Sequence, residues 1–193
     1  MVQAQPTLNF VSVAKDQAAH YGTFEMMETL KVLASRAASL VTGYKLRVGA
    51  ISAKKGGNIG HRSHKTGLDA DIGYMTTSTP STLQLENVVE RAAASRVKSS
   101  FLYKENFDLF KSANATGMLQ MVIVDHAIKK QYCQDAKARG LLTADSEEGK
   151  LTRTLLAKML DRVHDSEGKV RLVKGHDNHF HMRLHCGKYQ KRC

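Results

Sequence analysis

The chain has 193 residues, of which 42% are hydrophobic, and its 29 lysines and arginines outnumber its 18 aspartates and glutamates, which gives a net charge of +11. This composition supports a folded core and excludes a wholly disordered chain or a small disulfide-held scaffold, and no run of about 20 apolar residues predicts a membrane-spanning helix. The positive charge favours a polyanionic partner, and it leaves nucleic acid, an anionic membrane and an acidic cell-wall polymer open.

The predicted helices and strands are interspersed along the chain. Apolar residues recur at helical spacing over Phe24–Leu40, with Thr23 as a capping residue and Gly43 as a stop. Further helices are predicted over 83–97, 106–115, 127–138 and 151–163, and strands over 44–51, 71–75, 118–124, 170–173 and 179–184. Because regular βαβ units are missing from this pattern, we predict a single α+β domain with an antiparallel or mixed sheet and surrounding helices. Residues 1–22 would form an N-terminal extension, and residues 186–193 a C-terminal tail.

The cysteines and the N-terminal residues bear on the compartment. Cys186 and Cys193 are seven residues apart, which is compatible with a small disulfide-closed loop, and three reduced thiols including Cys133 are the alternative. The first residues lack the charged region and apolar run of a secretion signal, and residues 2–6 read like the start of a mature exported chain. A cytosolic protein would have the same pattern, so both compartments remain open at this point.

Two short histidine clusters point to a metal site. If 179–184 is a strand, alternation places His181 on the face opposite the apolar Phe180 and Met182. In the first cluster Gly67 permits a tight turn through which His64 and Asp71 can converge. Two imidazoles and one carboxylate leave a fourth position for water, which is the pattern of catalytic rather than structural zinc sites.

For each of the other polar residues in the two clusters, two or more roles are possible. His61 and His176 are either ligands, hydrogen-bonding neighbours of ligands, or ordinary loop histidines. Asp69 and Asp177 either orient ligand imidazoles or pair with nearby arginine or lysine. Arg183 either binds a substrate carboxylate through two hydrogen bonds or forms a structural ion pair.

Both clusters resemble the signatures of a known enzyme family. Residues 60–72 (GHRSHKTGLDADI) and 175–183 (GHDNHFHMR) closely resemble the two signatures of the MepA-type penicillin-insensitive murein endopeptidases. That family belongs to the zinc peptidase group that includes lysostaphin, D-Ala-D-Ala carboxypeptidases and the hedgehog fold. The short His-x6-Asp and His-x-His patterns are common to the wider group, whereas the longer strings are specific to the MepA type. The resemblance extends from about Ser35 to Cys186.

The resemblance implies a role for each central residue. His64, Asp71 and His181 would bind one Zn²⁺ per chain within a hedgehog-like or D,D-peptidase-like core. His179 would act beside a metal-activated water, either as the base or as a stabiliser of the tetrahedral oxyanion, and His176 would assist it. His61 matches a family position with a less defined role.

The resemblance also implies a substrate and a compartment. The substrate would be the peptide cross-link of murein (peptidoglycan), most typically D-alanyl–meso-diaminopimelate, in the periplasm or outside the cell. A D,D- or L,D-carboxypeptidase or a stem-peptide endopeptidase on the same polymer is the alternative, and a homodimer is compatible with the family. Since a cysteine follows the second signature in the family, we expect a Cys186–Cys193 disulfide, with Cys133 outside it.

Two function classes outside murein hydrolysis are more remote alternatives for this sequence. A metal-dependent nuclease would also use histidine and aspartate ligands with a positive charge, but the chain has no aromatic-rich basic stripe of the kind that stacks bases, so no nucleic-acid partner is expected. A non-catalytic wall-binding module could retain zinc for stability alone. The presence of His179 beside the expected ligands argues against that module.

Overall fold

A computed structural model describes residues 1–4, 10–13, 19–57, 63–77, 84–92, 95–157 and 168–187. The helices among these residues are α1 (Phe24–Leu40), α2 (Tyr103–Ala115), α3 (His126–Ala138) and α4 (Glu147–Leu156). The strands are β1 (Val2–Gln3), β2 (Phe10–Ser12), β3 (Tyr21–Gly22), β4 (Leu46–Val48), β5 (Asp69–Gly73), β6 (Val89–Glu90), β7 (Arg96–Val97), β8 (Leu119–Val124), β9 (Val170–Leu172) and β10 (His179–Leu184).

A mixed six-stranded sheet with the strand order β2-β4-β5-β10-β8-β9 organises the fold. Strand β10 lies in the middle and pairs antiparallel with β5 on one side and β8 on the other. The outer pairs β2–β4 and β8–β9 are parallel, and β4 is antiparallel to β5. The predicted α+β domain with a mixed sheet is therefore confirmed.

Helix α1 begins and ends where its sequence predicts. The Thr23 hydroxyl accepts a hydrogen bond from the Met26 amide at 3.2 Å, which satisfies one of the unpaired N–H groups of the first turn. Leu30, Leu33 and Ala37 recur on one face and are fully buried, so the apolar stripe holds the helix on the core.

The core face of β10 explains where its polar residues lie. Phe180 and Met182 are buried, and the Phe180 ring packs edge-on against Phe110 of α2, with centroids 5.0 Å apart. Because side chains alternate along a strand, His181 and Arg183 lie on the opposite face of the sheet. Burial of Phe180 and Met182 in the core thus determines which face of the predicted strand 179–184 carries the histidines.

The predicted helix over 83–97 is wrong. Its described residues form the antiparallel pair β6–β7, in which Val89 lies opposite Val97; residues 78–83 and 93–94 lie outside the described residues. Val88 and Val89 are buried, and the Val88 amide donates to the carbonyl of Asp177 at 2.7 Å. Core packing of β-branched residues and this long-range contact outweigh a helical spacing that local propensity supports only weakly.

Other predicted elements differ mainly at their ends. Strand β5 begins at Asp69, two residues before the predicted 71, and α2 begins at Tyr103. Helix α4 begins at Glu147 because the Ser146 hydroxyl caps it by accepting from the Gly149 amide at 3.1 Å. It ends at Leu156, where Ala157 leaves the helical conformation with a φ of +64°, so the predicted helix over 151–163 is too long at residue 157, and residues 158–163 lie outside the described residues.

The two termini contribute differently to the described structure. Strand β2 forms one edge of the sheet, and Phe10 is buried in the core.

Cys186 is disulfide-bonded and Cys133 is a buried thiol, while Cys193 lies outside the described residues, so the Cys186–Cys193 pairing stays a prediction. In the described part of the chain, none of the helices has the length and apolar character needed to cross a bilayer.

Candidate metal centre

The register of β5 and β10 brings the two histidine clusters together. His181 lies opposite Asp71, and Arg183 lies opposite Asp69. Since paired residues share one face of a sheet, four polar side chains from the two signatures lie side by side. His181 is only 5% exposed, and its Nδ1 lies 2.9 Å from Asp71 Oδ1.

His64 reaches the same place from a loop with unusual backbone geometry. Its φ angle is +62°, a left-handed conformation that costs a non-glycine residue about 1 kcal/mol or more. Gly67, at φ +74°, makes the turn that follows, and its carbonyl accepts from the Thr23 amide at 3.0 Å. His64 is 1% exposed, and its Nδ1–H donates to the carbonyl of Ile51 at 2.9 Å. With Nδ1 held by that bond, Nε2 is the ring nitrogen that faces Asp71, whose Oδ1 lies 3.3 Å away.

Together these residues fit a divalent transition metal. One potential ligand atom each from His64, Asp71 and His181 lies within 4.8 Å of the other two. Two imidazole nitrogens and one carboxylate oxygen suit zinc, and three protein ligands leave a position for water or substrate. The structure thus brings together the three residues expected as ligands, and they could hold a metal ion.

Asp69 fixes the orientation of the His181 ring. Its Oδ1 lies 2.8 Å from His181 Nε2 and accepts a hydrogen bond from Arg183 Nε at 2.6 Å. Nδ1 is then the ring nitrogen that faces Asp71. A carboxylate on the far nitrogen of a metal-binding histidine sets its tautomer and raises its basicity.

Electrostatics favour an ionised Asp71 and, in the absence of metal, a protonated His181. Burial alone would raise the pKa of Asp71, but hydrogen bonds from His181 and His64 hold the pKa well below its ordinary value. Burial alone would lower the pKa of His181, but hydrogen bonds to Asp69 and Asp71 raise the pKa to about 9. A metal ion therefore has to displace a proton from His181 on binding.

His179 lies at the edge of this cluster. Its Nε2 is 3.6 Å from Asp71 Oδ1, and its Nδ1–H donates to Asn178 Oδ1 at 2.6 Å. Burial lowers the pKa of His179, which favours a neutral ring whose Nε2 can accept a proton. No role is predicted for Asn178 from the sequence, although its place immediately before His179 is a signal for one.

His176 lies next to His179 and farther from the three potential ligands. Its ring centroid is 5.1 Å from that of His179 and 6.4 Å from that of His181. Its Nδ1–H donates to the carbonyl of Val173 at 3.1 Å, its own carbonyl accepts from the Tyr74 hydroxyl, and burial lowers its pKa.

Asp177 belongs to an ion-pair network and not to the group of potential metal ligands. Arg91 Nη2 lies 3.1 Å from Asp177 Oδ2 and 2.8 Å from Asp125 Oδ2. Together with the bond from the Val88 amide, this network holds the turn that carries His176. No sequence pattern predicts the role of Arg91, because its partners are distant along the chain. His61 lies outside the described residues.

Comparisons with known proteins match most of the chain. A family model described as penicillin-insensitive murein endopeptidase matches residues 3–143, which include the first signature but end before the second. A penicillin-insensitive murein endopeptidase from Haemophilus influenzae is 31% identical over 86% of this chain and 52% of its own length. Proteins of the same name from Escherichia coli O157:H7 and Shigella boydii are 30% identical over 92% of this chain and 58% of their own length.

These matches cover most of this chain but only part of each relative. The chain spans little more than half the length of these curated relatives. The family model covers well over half of the chain, and the family is one of metallopeptidases. The chain belongs to the penicillin-insensitive murein endopeptidase family.

Proposed function

We propose that this chain is a zinc-dependent endopeptidase that hydrolyses the peptide cross-links of murein, with D-alanyl–meso-diaminopimelate as the bond cleaved. The observation that carries the proposal is the convergence of His64, Asp71 and His181 within 4.8 Å, with His179 beside them. The relatives that share the family carry the name of that activity.

The residues divide into a metal-binding set and a proton-transfer residue. His64, Asp71 and His181 would hold one zinc ion, with Asp69 orienting His181. Bound there, zinc would act as a Lewis acid on the peptide carbonyl and would lower the pKa of water to about 7. No side chain is then needed as a nucleophile.

His179 is suited to move the proton. Its Nδ1–H is held by Asn178, so Nε2 carries the ring's lone pair, and burial lowers the pKa of His179, which favours the neutral ring. In the proposed reaction Nε2 accepts a proton from the attacking water and delivers it to the leaving amine. A protonated His179 would also stabilise the negative oxygen that develops on the substrate carbonyl. The adjacent His176 would assist His179.

Charge and cysteine chemistry are compatible with a cell-wall enzyme. The net charge of +11 suits an anionic sacculus, and the disulfide-bonded Cys186 suits an oxidising compartment such as the periplasm or the cell exterior. All three proposed ligands come from one chain, so the homodimer that the resemblance allows is not required to build the site.

Digestion of purified sacculi tests the activity and the bond type together. Zinc-loaded protein should convert cross-linked dimers to monomers without releasing free D-alanine, as read by mass spectrometry of the products. Release of free D-alanine would instead identify a carboxypeptidase, and unchanged sacculi would contradict both. The His179→Ala protein, loaded with zinc, is the matched control, and plasmid DNA incubated in parallel tests the nuclease alternative.

A further inference from the structure

A cavity of about 450 Å³ adjoins the metal centre, and neither the three proposed ligands nor His179 lines it. Its lining includes Lys65, Thr66 and Asp69 from the first signature region, together with Gln120 and Arg183. Both signatures therefore contribute to this cavity as well as to the metal centre.

The cavity and the metal centre share one face of the sheet. Arg183 and His181 are two residues apart on β10, which puts their Cα atoms about 7 Å from each other. Asp69 Oδ1 contacts both side chains. A group bound by the Arg183 guanidinium would thus lie close to the His181 ring and the metal centre.

An irregularity in the sheet opens this end of the strand pair. Arg183 pairs with Met121 and Leu184 with Leu119, so the register of β10 and β8 shifts and Gln120 is the additional residue. Such bulges redirect side chains and are common beside functional sites. Here the bulge residue, Gln120, adds an amide to the cavity wall.

Two cationic side chains in the cavity wall have N–H groups available for a bound molecule. Among the described residues, Arg183 donates only through its Nε, to Asp69, which leaves the four N–H groups of its Nη atoms for a substrate group. Among the described residues, no carboxylate pairs with the exposed Lys65 ammonium. The single acid in the wall, Asp69, is already engaged by His181 and Arg183. A planar carboxylate is a group that a guanidinium and an ammonium in one cavity wall bind well.

We propose that this cavity is a substrate subsite for the free carboxylate that flanks the scissile amide, an inference that rests on the proposed function. In a D-alanyl–meso-diaminopimelate bond, the carbon that bears the scissile nitrogen also bears a free carboxylate. That carboxylate lies on the order of 4 Å from the scissile carbonyl carbon. Arg183 and Lys65 would bind it and so place the carbonyl at the metal centre.

Two forms of one substrate test the subsite. The probes are a cross-linked muropeptide dimer with this carboxylate free and the same dimer with it amidated. For the zinc-loaded wild type, we expect kcat/KM to be about 10- to 100-fold lower on the amide, because a charge-assisted hydrogen-bond pair is lost. In Arg183→Gln and Lys65→Gln, kcat/KM on the free acid should fall. The ratio of kcat/KM on the free acid to kcat/KM on the amide should decrease toward one.

The two variants separate binding from support of the metal centre. Arg183 also contacts Asp69, so the zinc content of Arg183→Gln is measured, whereas Lys65 makes no such contact. Lys31→Gln, which removes the same charge from an exposed position on α1, should keep the full preference for the free acid. Equal losses on both substrates in both cavity variants would overturn the subsite.

Calorimetric binding to metal-free protein distinguishes failure of the subsite from failure of the proposed function. The metal-free wild type should bind the free-acid dimer more tightly than the amidated one. Preferential binding without any cleavage by the zinc-loaded protein would keep the subsite and reject the endopeptidase activity. Cleavage and binding that do not discriminate between the two dimers would keep the activity and reject the subsite.

Discussion

Asp69 and Arg183 face each other across the β5–β10 pair, and Arg183 Nε donates to Asp69 Oδ1 at 2.6 Å. The same oxygen lies 2.8 Å from Nε2 of His181. One buried carboxylate therefore connects the cavity to an imidazole of the proposed ligand set. The adjacent cross-strand pair, Asp71 and His181, supplies two of the proposed ligands themselves.

Substitution of Asp69 should weaken metal binding although Asp69 is not a proposed ligand. Asp69→Asn keeps the shape of the side chain but removes the charge that orients His181, so we expect zinc affinity to fall about 10- to 100-fold. Competition with a coloured chelator measures it. Asp177→Asn is the matched control, because Asp177 pairs with Arg91 instead and should leave zinc affinity unchanged. Equal affinities in the Asp69 variant and the wild type would contradict this role.

Replacement of two neighbouring histidines should separate metal binding from turnover. His181→Ala removes a proposed ligand, so both the zinc content and the activity should fall. His179→Ala should keep zinc largely bound while turnover is lost. Elemental analysis of purified protein, alongside sacculus digestion, tests the pair. A His179→Ala protein that loses its metal would show that ligand and proton-transfer roles have been exchanged.

The contact between Asn178 and His179 should control the acid limb of the pH–rate profile. Asn178→Asp places a negative charge 2.6 Å from His179 Nδ1, which favours the protonated ring. The apparent pKa of His179 should rise, and the acid limb of kcat/KM should move upward by about one pH unit or more. Asn178→Ala removes the hydrogen bond without adding charge, so it should lower kcat without that upward shift. An unchanged limb in Asn178→Asp would mean that His179 is not the titrating base.

Metal-free protein should lose stability on the alkaline side. The pKa of His181 is raised from 6.5 to about 9 in the folded, metal-free chain. A raised pKa contributes stability that is fully present below pH 6.5 and is lost as pH rises toward 9. We therefore expect the Tm of metal-free wild type to fall between pH 6.5 and 9, and His181→Asn to show a smaller fall. Zinc-loaded protein should not share the decrease, because zinc binds the neutral ring. A flat Tm in the metal-free wild type would contradict the ion pair.

Much of the fold and the convergence of the three potential ligands could be predicted from the sequence. Strand β10 follows directly from the alternation of apolar Phe180 and Met182 with polar neighbours. Gly67 marks the turn that returns the chain from His64 to Asp71, and its φ of +74° is one that a larger residue rarely adopts. Each of these signals is local, so each could be read without knowledge of the tertiary structure.

The supporting contacts could not be predicted, because they join distant residues or involve backbone atoms. The carbonyl of Ile51, which fixes the His64 tautomer, belongs to a residue whose side chain gives no sign of that role. The network of Arg91, Asp125 and Asp177 spans 86 positions in the chain. The predicted helix over 83–97 is wrong for the same reason, since the pairing of β6 with β7 depends on core contacts that a helical pattern does not reveal.

Reconstitution of metal-depleted protein with zinc tests the central claim most directly. Protein stripped by 1,10-phenanthroline and dialysed should release no monomers from purified sacculi, and stoichiometric Zn²⁺ should restore release. A β-lactam should leave the restored activity unchanged, because the proposed reaction forms no acylated serine. Full activity in the metal-free protein, or covalent labelling by a fluorescent penicillin, would contradict a zinc-dependent murein endopeptidase built on His64, Asp71 and His181.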